Sequence, residues 1–378
     1  MFFIIAALII AVACSAITIK TLVGYAAIRL AYKIAISAII LLGWFSLPIV
    51  GLLRKADLLN QTAYMLVSNG LYYLLGFVFI LFIILMMRDV VWYGIFGLAK
   101  LLKIDGWHIN PSNISLLGKA NLIVVILSVL ATAYAIFEGN KAPKVVEEFI
   151  YTTKINRNVR IVQISDLHIT RATPVAKVKQ IVAQVNMLNP DVIVLTGDTL
   201  DDAPAFIVDQ LAPLKELSAP FGVYSVMGNH EFYNDVYAAK RTLDSLGLKF
   251  LFNGGFRINK TNVYVAGIPD MNTMVERVNL WRALNKSENN DYRVLLSHAP
   301  IIVDSLSKKN VDLVLAGHTH GGQIFPFHLL VKQANKYLAG KYKTNDIDLL
   351  VSRGAGSWGP QMRLFAPTDI VVINLLKS

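Results

Sequence analysis

Histidine carries the sharpest chemical signal in this sequence. The chain has seven, and five of them (His168, His230, His298, His318 and His320) stand in short clusters with Asp, Asn and Gly. The clusters are Asp166-Leu-His168, Gly197-Asp198-Thr-Leu-Asp201, Gly228-Asn229-His230-Glu231, Ser297-His298 and Gly317-His318-Thr-His320. Imidazole, carboxylate and amide oxygen without thiolate suit borderline or hard divalent ions such as Mn, Fe, Zn or Mg, and not a Cys-type structural zinc. So many ligand groups exceed the needs of one tetrahedral ion, so two ions are the natural count. A bridging carboxylate can hold two such ions ~3.5–4 Å apart, where they activate a water and clamp an in-line displacement at phosphorus. A lone His at the end of a strand is more often structural, but that reading does not account for five of seven gathered this way. His108 and His328 fall outside the pattern and receive no role.

The elements that must position these clusters are legible beside them. Each cluster closes a short, apolar, β-branched run: 160–165, 191–196, 222–227, 292–297 and 311–316. Continuous apolar runs of this length read as strands buried on both faces, and helical patterns at 174–188 and 237–246 lie between them. The expectation is an α/β sheet covered by helices, with its ligands at strand ends. The glycines before Asp198, Asn229 and His318 are expected to let the backbone turn off each strand.

In this order, the five clusters resemble the motifs of the calcineurin-like metallophosphoesterases, over residues 158–375. Gly321-Gly-Gln-Ile324 and the late segment 351–364 are similar to a bacterial membrane-associated or exported branch of that family. The resemblance implies a sandwich of β-sheets flanked by helices. It also implies two divalent ions, Mn first among them. Asp166, His168, Asp198 and His320 would hold one; Asp198, Asn229, His298 and His318 would hold the other, with Asp198 bridging. A metal-activated water would attack phosphorus. His230 would contact the phosphate and serve the leaving oxygen, and Glu231 would orient His230. Asp201 reads as support for the loop or for a His rather than as a ligand. Arg353 and Arg363 are weaker candidates for contact with substrate phosphate.

The rest of the chain is of another kind. Of 378 residues, 55% are hydrophobic and 16% charged, with a mean hydropathy of +0.52, which excludes a wholly soluble protein and intrinsic disorder. Residues 1–137 hold nine Lys/Arg and three Asp, whereas 138–378 hold 27 Lys/Arg and 22 Asp/Glu. We therefore expect a multi-pass transmembrane domain at 1–137, a linker at 138–157 and the metallophosphoesterase domain at 158–378. Four stretches, 1–19, 34–53, 66–87 and 120–137, approach the ~20 apolar residues a span needs. The shorter stretch 90–102, interrupted by Lys100, reads as an interfacial helix. The first span lacks a basic n-region and a clear cleavage site, so a removed signal peptide is not expected. The spans carry no buried charge constellation, which suits an anchor or lipid-access platform better than a channel. One cysteine, Cys14, excludes an intrachain disulfide and a Cys-based metal site.

A net charge of +11 without a Lys/Arg-rich run favours anionic headgroups over nucleic acid as a partner. Basic loop residues divide seven against six between the two sides, which leaves orientation open. Four spans exceed what a tether needs, and this points to a lipid or nucleotide-lipid phosphate substrate. The segment 325–343 interleaves large apolar residues with lysines, which suits either a headgroup-facing surface or a packed loop with a basic face. Among activities of the family resembled, cleavage of UDP-2,3-diacylglucosamine to UMP and a lipid monophosphate fits best. It would place the domain on the cytoplasmic face of a bacterial inner membrane. The alternatives are an outward-facing phosphatase or phosphodiesterase acting on another lipid-linked or cell-wall phosphate, and a non-catalytic metal-binding scaffold. The sequence does not specify an oligomeric state.

Overall fold

The computed structural model describes residues 2–24, 26, 28–103, 113–233, 235–271, 277–308 and 310–378; His108 lies outside them. The chain forms two compact units. One is Met1–Phe137 with Gly359–Met362, and the other is Glu138–Trp358 with Arg363–Ser378.

The first unit is helical, with α1 (Phe2–Ile19), α2 (Leu30–Trp44), α3 (Ser46–Ala56), α4 (Gln61–Leu101) and the start of α5 (Ile114–Asn140). By length and composition α4 and α5 can each cross a membrane, and α2 with α3, bent by 63°, can form one further broken span. The first expected span falls on α1, whose described side chains begin at Leu8. The stretch 90–102 differs from expectation. It continues α4 without a break, and the 41 residues of that helix run to about 60 Å, twice a ~30 Å hydrocarbon core. The interruption at Lys100 is a polarity change, and a lysine, being a good helix former, does not end a helix. Close helix approach in this unit depends on a small residue. A Cβ added at Gly43 of α2 would meet Val78 Cγ1 of α4 at 2.6 Å, the contact that small residues permit between apolar helices.

Among the described residues the second unit holds twelve strands: β1 (Lys144–Thr152), β2 (Val159–Ile164), β3 (Val192–Thr196), β4 (Val223–Val226), β5 (Leu248–Phe250), β6 (Gly254–Ile258), β7 (Val263–Gly267), β8 (Tyr292–Leu296), β9 (Leu313–Ala316), β10 (Gly340–Thr344), β11 (Ile347–Val351) and β12 (Asp369–Lys377). They form two six-stranded sheets, ordered β1-β12-β2-β3-β4-β5 and β10-β11-β9-β8-β7-β6. β2 through β5 run parallel in the first; β7, β8, β9 and β11 run parallel in the second.

Period-two alternation decides which face each residue serves. In β3, Val192 and Val194 enter the layer between the sheets, while Ile193 and Leu195 enter the outer layer with Val178, Ile181, Val182 and Val185 of helix α6 (Val175–Met187). In β9, Leu313 and Leu315 face inward to the other sheet, and Val314 joins the opposite outer layer with Ile302 and Val303. Both faces of both sheets are thus covered, which is why these strands read as unbroken apolar runs. The parallel strands β2, β3, β4, β8 and β9 all deliver their C-terminal ends to one place. The stretch 138–157, expected as a linker, instead contains β1, which pairs in parallel with β12 along nine residues. Its alternation, with Glu148 half-buried and Phe149 exposed, hides an edge strand from a sequence pattern.

Candidate metal centre

The loops leaving the five strands are tightly wound. Asp166 (φ 54°), His168 (46°), Asp198 (51°), His318 (74°) and His320 (51°) all lie in the left-handed region. That conformation costs a non-glycine residue roughly 1–2 kcal/mol, and such strain gathers where a side chain must be aimed. The glycines beside them act in two ways. Gly197, with φ +91°, turns the chain. Gly228 and Gly317 instead leave room, because a Cβ on either would strike the Asp198 or Asp166 carboxylate.

The ligand-type atoms converge into two adjoining groups. In the first, His168 Nε2 and His320 Nε2 are 2.9 Å apart, and Asp166 Oδ1 lies 3.4 Å from His320 Nε2 and 3.9 Å from His168 Nε2. In the second, His298 Nε2 lies 3.1 Å from Asn229 Oδ1, 3.0 Å from His318 Nδ1 and 3.1 Å from Asp198 Oδ2. The same Asp198 Oδ2 is 3.7 Å from His168 Nε2, so this carboxylate stands between the groups. The Asp198 Oδ1 accepts the His230 backbone N–H at 2.9 Å. The side chains of Asp166, His168, Asp198 and His298 are all but sealed from solvent.

Several neighbours hold these groups in place. His298 Nδ1 faces the Thr196 carbonyl oxygen at 2.8 Å, which points Nε2 into the cluster. Asn229 donates its amide to the Tyr233 hydroxyl at 2.9 Å and so turns its oxygen toward His298. The signal for Tyr233 was its i,i+4 spacing from Asn229. Asp201 Oδ1 takes the Nδ1 of His168 at 2.7 Å and the Nδ1 of His230 at 2.8 Å. Asp201 therefore orients both a candidate ligand and the candidate proton donor. His230 is the more accessible imidazole, 15% exposed, with its Nε2 3.9 Å from Asp198 Oδ2 and its ring 6.5 Å from that of Trp358.

Two expectations are corrected here. Glu231 does not orient His230. Its buried carboxylate accepts backbone N–H bonds from Asp198 (3.1 Å), Thr199 (2.6 Å), Leu200 (3.2 Å) and Gly228 (2.8 Å). It staples the loop that presents Asp198, because four converging backbone donors outcompete one imidazole for an acceptor. Arg363 is fully buried and is not aimed at substrate. It donates to the His320 carbonyl oxygen at 2.8 Å, reaches His320 Nδ1 at 3.0 Å and binds the Gly356 carbonyl. Sequence gives only its charge, and burial decides its role. Arg353, by contrast, is partly exposed and paired with Asp369 at 3.4 Å.

The electrostatics bear on whether a cation fits here. Among the described residues no Lys or Arg pairs with Asp166 or Asp198. Burial alone would lower the pKa of His168, but Asp201, Asp198 and Asp166 overcome it and raise it to about 9. Burial opposes protonation of His298 too, and Asp198 with Asp166 raises it to about 10. Burial, His168 and Arg363 hold His320 well below the ordinary histidine range, and burial with His298 lowers His318. Buried carboxylates drawing protons onto imidazoles mark a place where cations are needed, and neutral His320 and His318 are competent ligands. The donor set therefore fits divalent metal. Nitrogen and oxygen atoms of Asp166, His168 and His320, and of Asp198, His298 and His318, lie within 4.8 Å of one another.

The comparisons agree with the geometry. Residues 159–322 match the calcineurin-like phosphoesterase family. An uncharacterized metallophosphoesterase of Helicobacter pylori is 34% identical over 281 residues, 72% of this chain and 74% of its own. The chain belongs to this family. Another such metallophosphoesterase, from Campylobacter jejuni, is 30% identical over 67% of this chain and 69% of its own. The zebrafish protein called transmembrane protein with metallophosphoesterase domain is 30% identical over 69% of this chain and 63% of its own. As a metallophosphoesterase the chain is a metal-dependent phosphohydrolase, and its cluster of His and Asp side chains suits a pair of divalent ions. Its apolar helices make it a membrane protein.

Proposed function

We propose that the protein hydrolyses a phosphodiester or pyrophosphate on a lipid-linked substrate, using two divalent ions at the ends of β2, β3, β4, β8 and β9. The observation that carries this reading is the placement of Asp198 between two imidazole groups, with Oδ2 3.1 Å from His298 and 3.7 Å from His168. Asp166, His168, Asp198 and His320 would hold one ion; Asp198, Asn229, His298 and His318 would hold the other. When bound, the ions supply Lewis-acid polarisation of the phosphoryl group and activation of water. The chain's own part is positioning. Asp201 keeps a proton at His230 Nδ1, which leaves Nε2 to serve the leaving oxygen.

The pairing of this site with membrane-crossing helices supports a lipid-borne substrate, and the zebrafish relative's name joins the same two parts. Manganese is the proposed metal. UDP-2,3-diacylglucosamine is the first substrate to test, with the catalytic unit on the cytoplasmic face of a bacterial inner membrane. Full-length protein in detergent is assayed with Mn²⁺ and with EDTA, on that lipid and on bis(p-nitrophenyl) phosphate. Metal-dependent release of UMP, lost in Asp198→Asn, is the expected result. Hydrolysis of the simple diester alone would discard the lipid substrate and keep the reaction. Absence of both would refute the reaction.

A further inference from the structure

A cleft of ≈ 290 Å³ opens beside the metal centre, within the second unit. It shares a wall with that centre through Gly321, the residue that follows His320. A Cβ placed on Gly321 would come within 3.1 Å of Arg353 Cγ, so the bare glycine backbone is what lets Arg353 lie against this loop. Arg353, Lys332 and His328 bring basic groups to the cleft, and among the described residues that line it none is a carboxylate, although Arg353 pairs with Asp369 behind it. Lys332 makes no ion pair among the described residues. The Tyr342 hydroxyl accepts N–H bonds from Leu338 and Ala339 at 3.1 and 3.4 Å, which leaves its own proton to donate.

The remaining wall is aromatic. Phe325 stacks on His328 with centroids 5.1 Å apart, and Phe365 stands edge-on to Phe325 at 5.9 Å. Phe365 is 74% exposed, an exposure that core packing does not explain. A small cleft of roughly 300 Å³ with a few polar donors on an apolar wall is the form of a ligand subsite. Guanidinium and ammonium groups lining one cleft select phosphate or carboxylate.

We propose that this cleft binds a second anionic group of the substrate, a phosphate carried on the part of the molecule beyond the scissile phosphorus. The substrate is then a phosphoester bearing two separated anions, the first at the metal centre and the second between Arg353 and Lys332. This inference rests on the phosphohydrolase reading of the adjoining centre.

The test is equilibrium binding to the full-length, Mn²⁺-loaded protein in detergent, by calorimetry, with glucose 1,6-bisphosphate and glucose 6-phosphate as probes. The bisphosphate is expected to bind about tenfold or more tightly, the gain from one further charge-assisted contact. Arg353→Ala should abolish that preference. Because Arg353 also pairs with Asp369, exposed Lys332 supplies a second variant, and Lys332→Glu should abolish the preference without touching that pair. Equal binding of the two probes to the wild-type protein, or a preference that survives both substitutions, overturns the proposal. The binding measurement needs no turnover, so failure of the wild-type protein to hydrolyse bis(p-nitrophenyl) phosphate would count separately, against the reaction.

Discussion

Replacing Asp201 separates a positioning role from a ligand role. One oxygen, Oδ1, lies 2.7 Å from His168 Nδ1 and 2.8 Å from His230 Nδ1, and the pKa of Asp201 falls to about 2 because these two imidazoles outweigh its burial. Each bond is charge-assisted, worth about 1.5–3 kcal/mol against about 1 kcal/mol for a neutral one. Asp201→Asn keeps the oxygen and loses the charge, so each bond should weaken by about 1 kcal/mol. At His230 that corresponds to a fall in kcat of about fivefold. Asp201→Ala removes both bonds and leaves the buried His168 Nδ1 and the partly accessible His230 Nδ1 without that acceptor. The share at His230, about 2–3 kcal/mol, corresponds to a fall of roughly 30- to 150-fold. Loss of support for His168 should also weaken metal affinity, about 10- to 100-fold for such outer partners. The assay is kcat on bis(p-nitrophenyl) phosphate, with Mn²⁺ titrated to saturation for each variant so that the two effects separate. If Asp201→Ala at saturating Mn²⁺ turns over within about threefold of the wild type, the orienting role is wrong.

Three other outcomes follow from the same geometry. His230→Ala should retain both metals by elemental analysis and lose about 100-fold or more in kcat; loss of metal would make His230 a ligand. Glu231→Ala should unpair four backbone N–H groups and destabilise the catalytic unit by about 4 kcal/mol, and protection of amides 198–200 in hydrogen exchange reads this directly. Mn²⁺ affinity should rise with pH. With His168 at about 9 and His298 at about 10 in the metal-free protein, their protons stabilise the metal-free fold fully below about 6.5, and that contribution is lost as pH rises through 9 and 10. Metal must displace these protons, so affinity should gain up to about tenfold per pH unit for each one between pH 6.5 and 9; a flat profile in chelator competition would contradict the shifts.

The clusters, the strands that end in them and the division between an apolar and a polar part were legible in the residues alone. Those features are local. A β-branched run followed by Asp-x-His or Gly-Asn-His-Glu states both an element and what its end carries. Which polar neighbour serves which imidazole emerged from the folded contacts. Glu231 stands next to His230 in the chain, yet its carboxylate turns back to the Asp198, Thr199 and Leu200 donors of the loop after β3. Asp201, from another strand's loop, takes the place expected for it. Arg363 is 43 residues from His320 and meets it only because the late loop packs behind that imidazole. β1 was hidden for the same reason, since its stability comes from nine pairings with the far end of the chain and not from its own pattern. Ligand types are a property of residues, whereas orientation and burial belong to contacts that close over long sequence separations, and a sequence pattern does not record those.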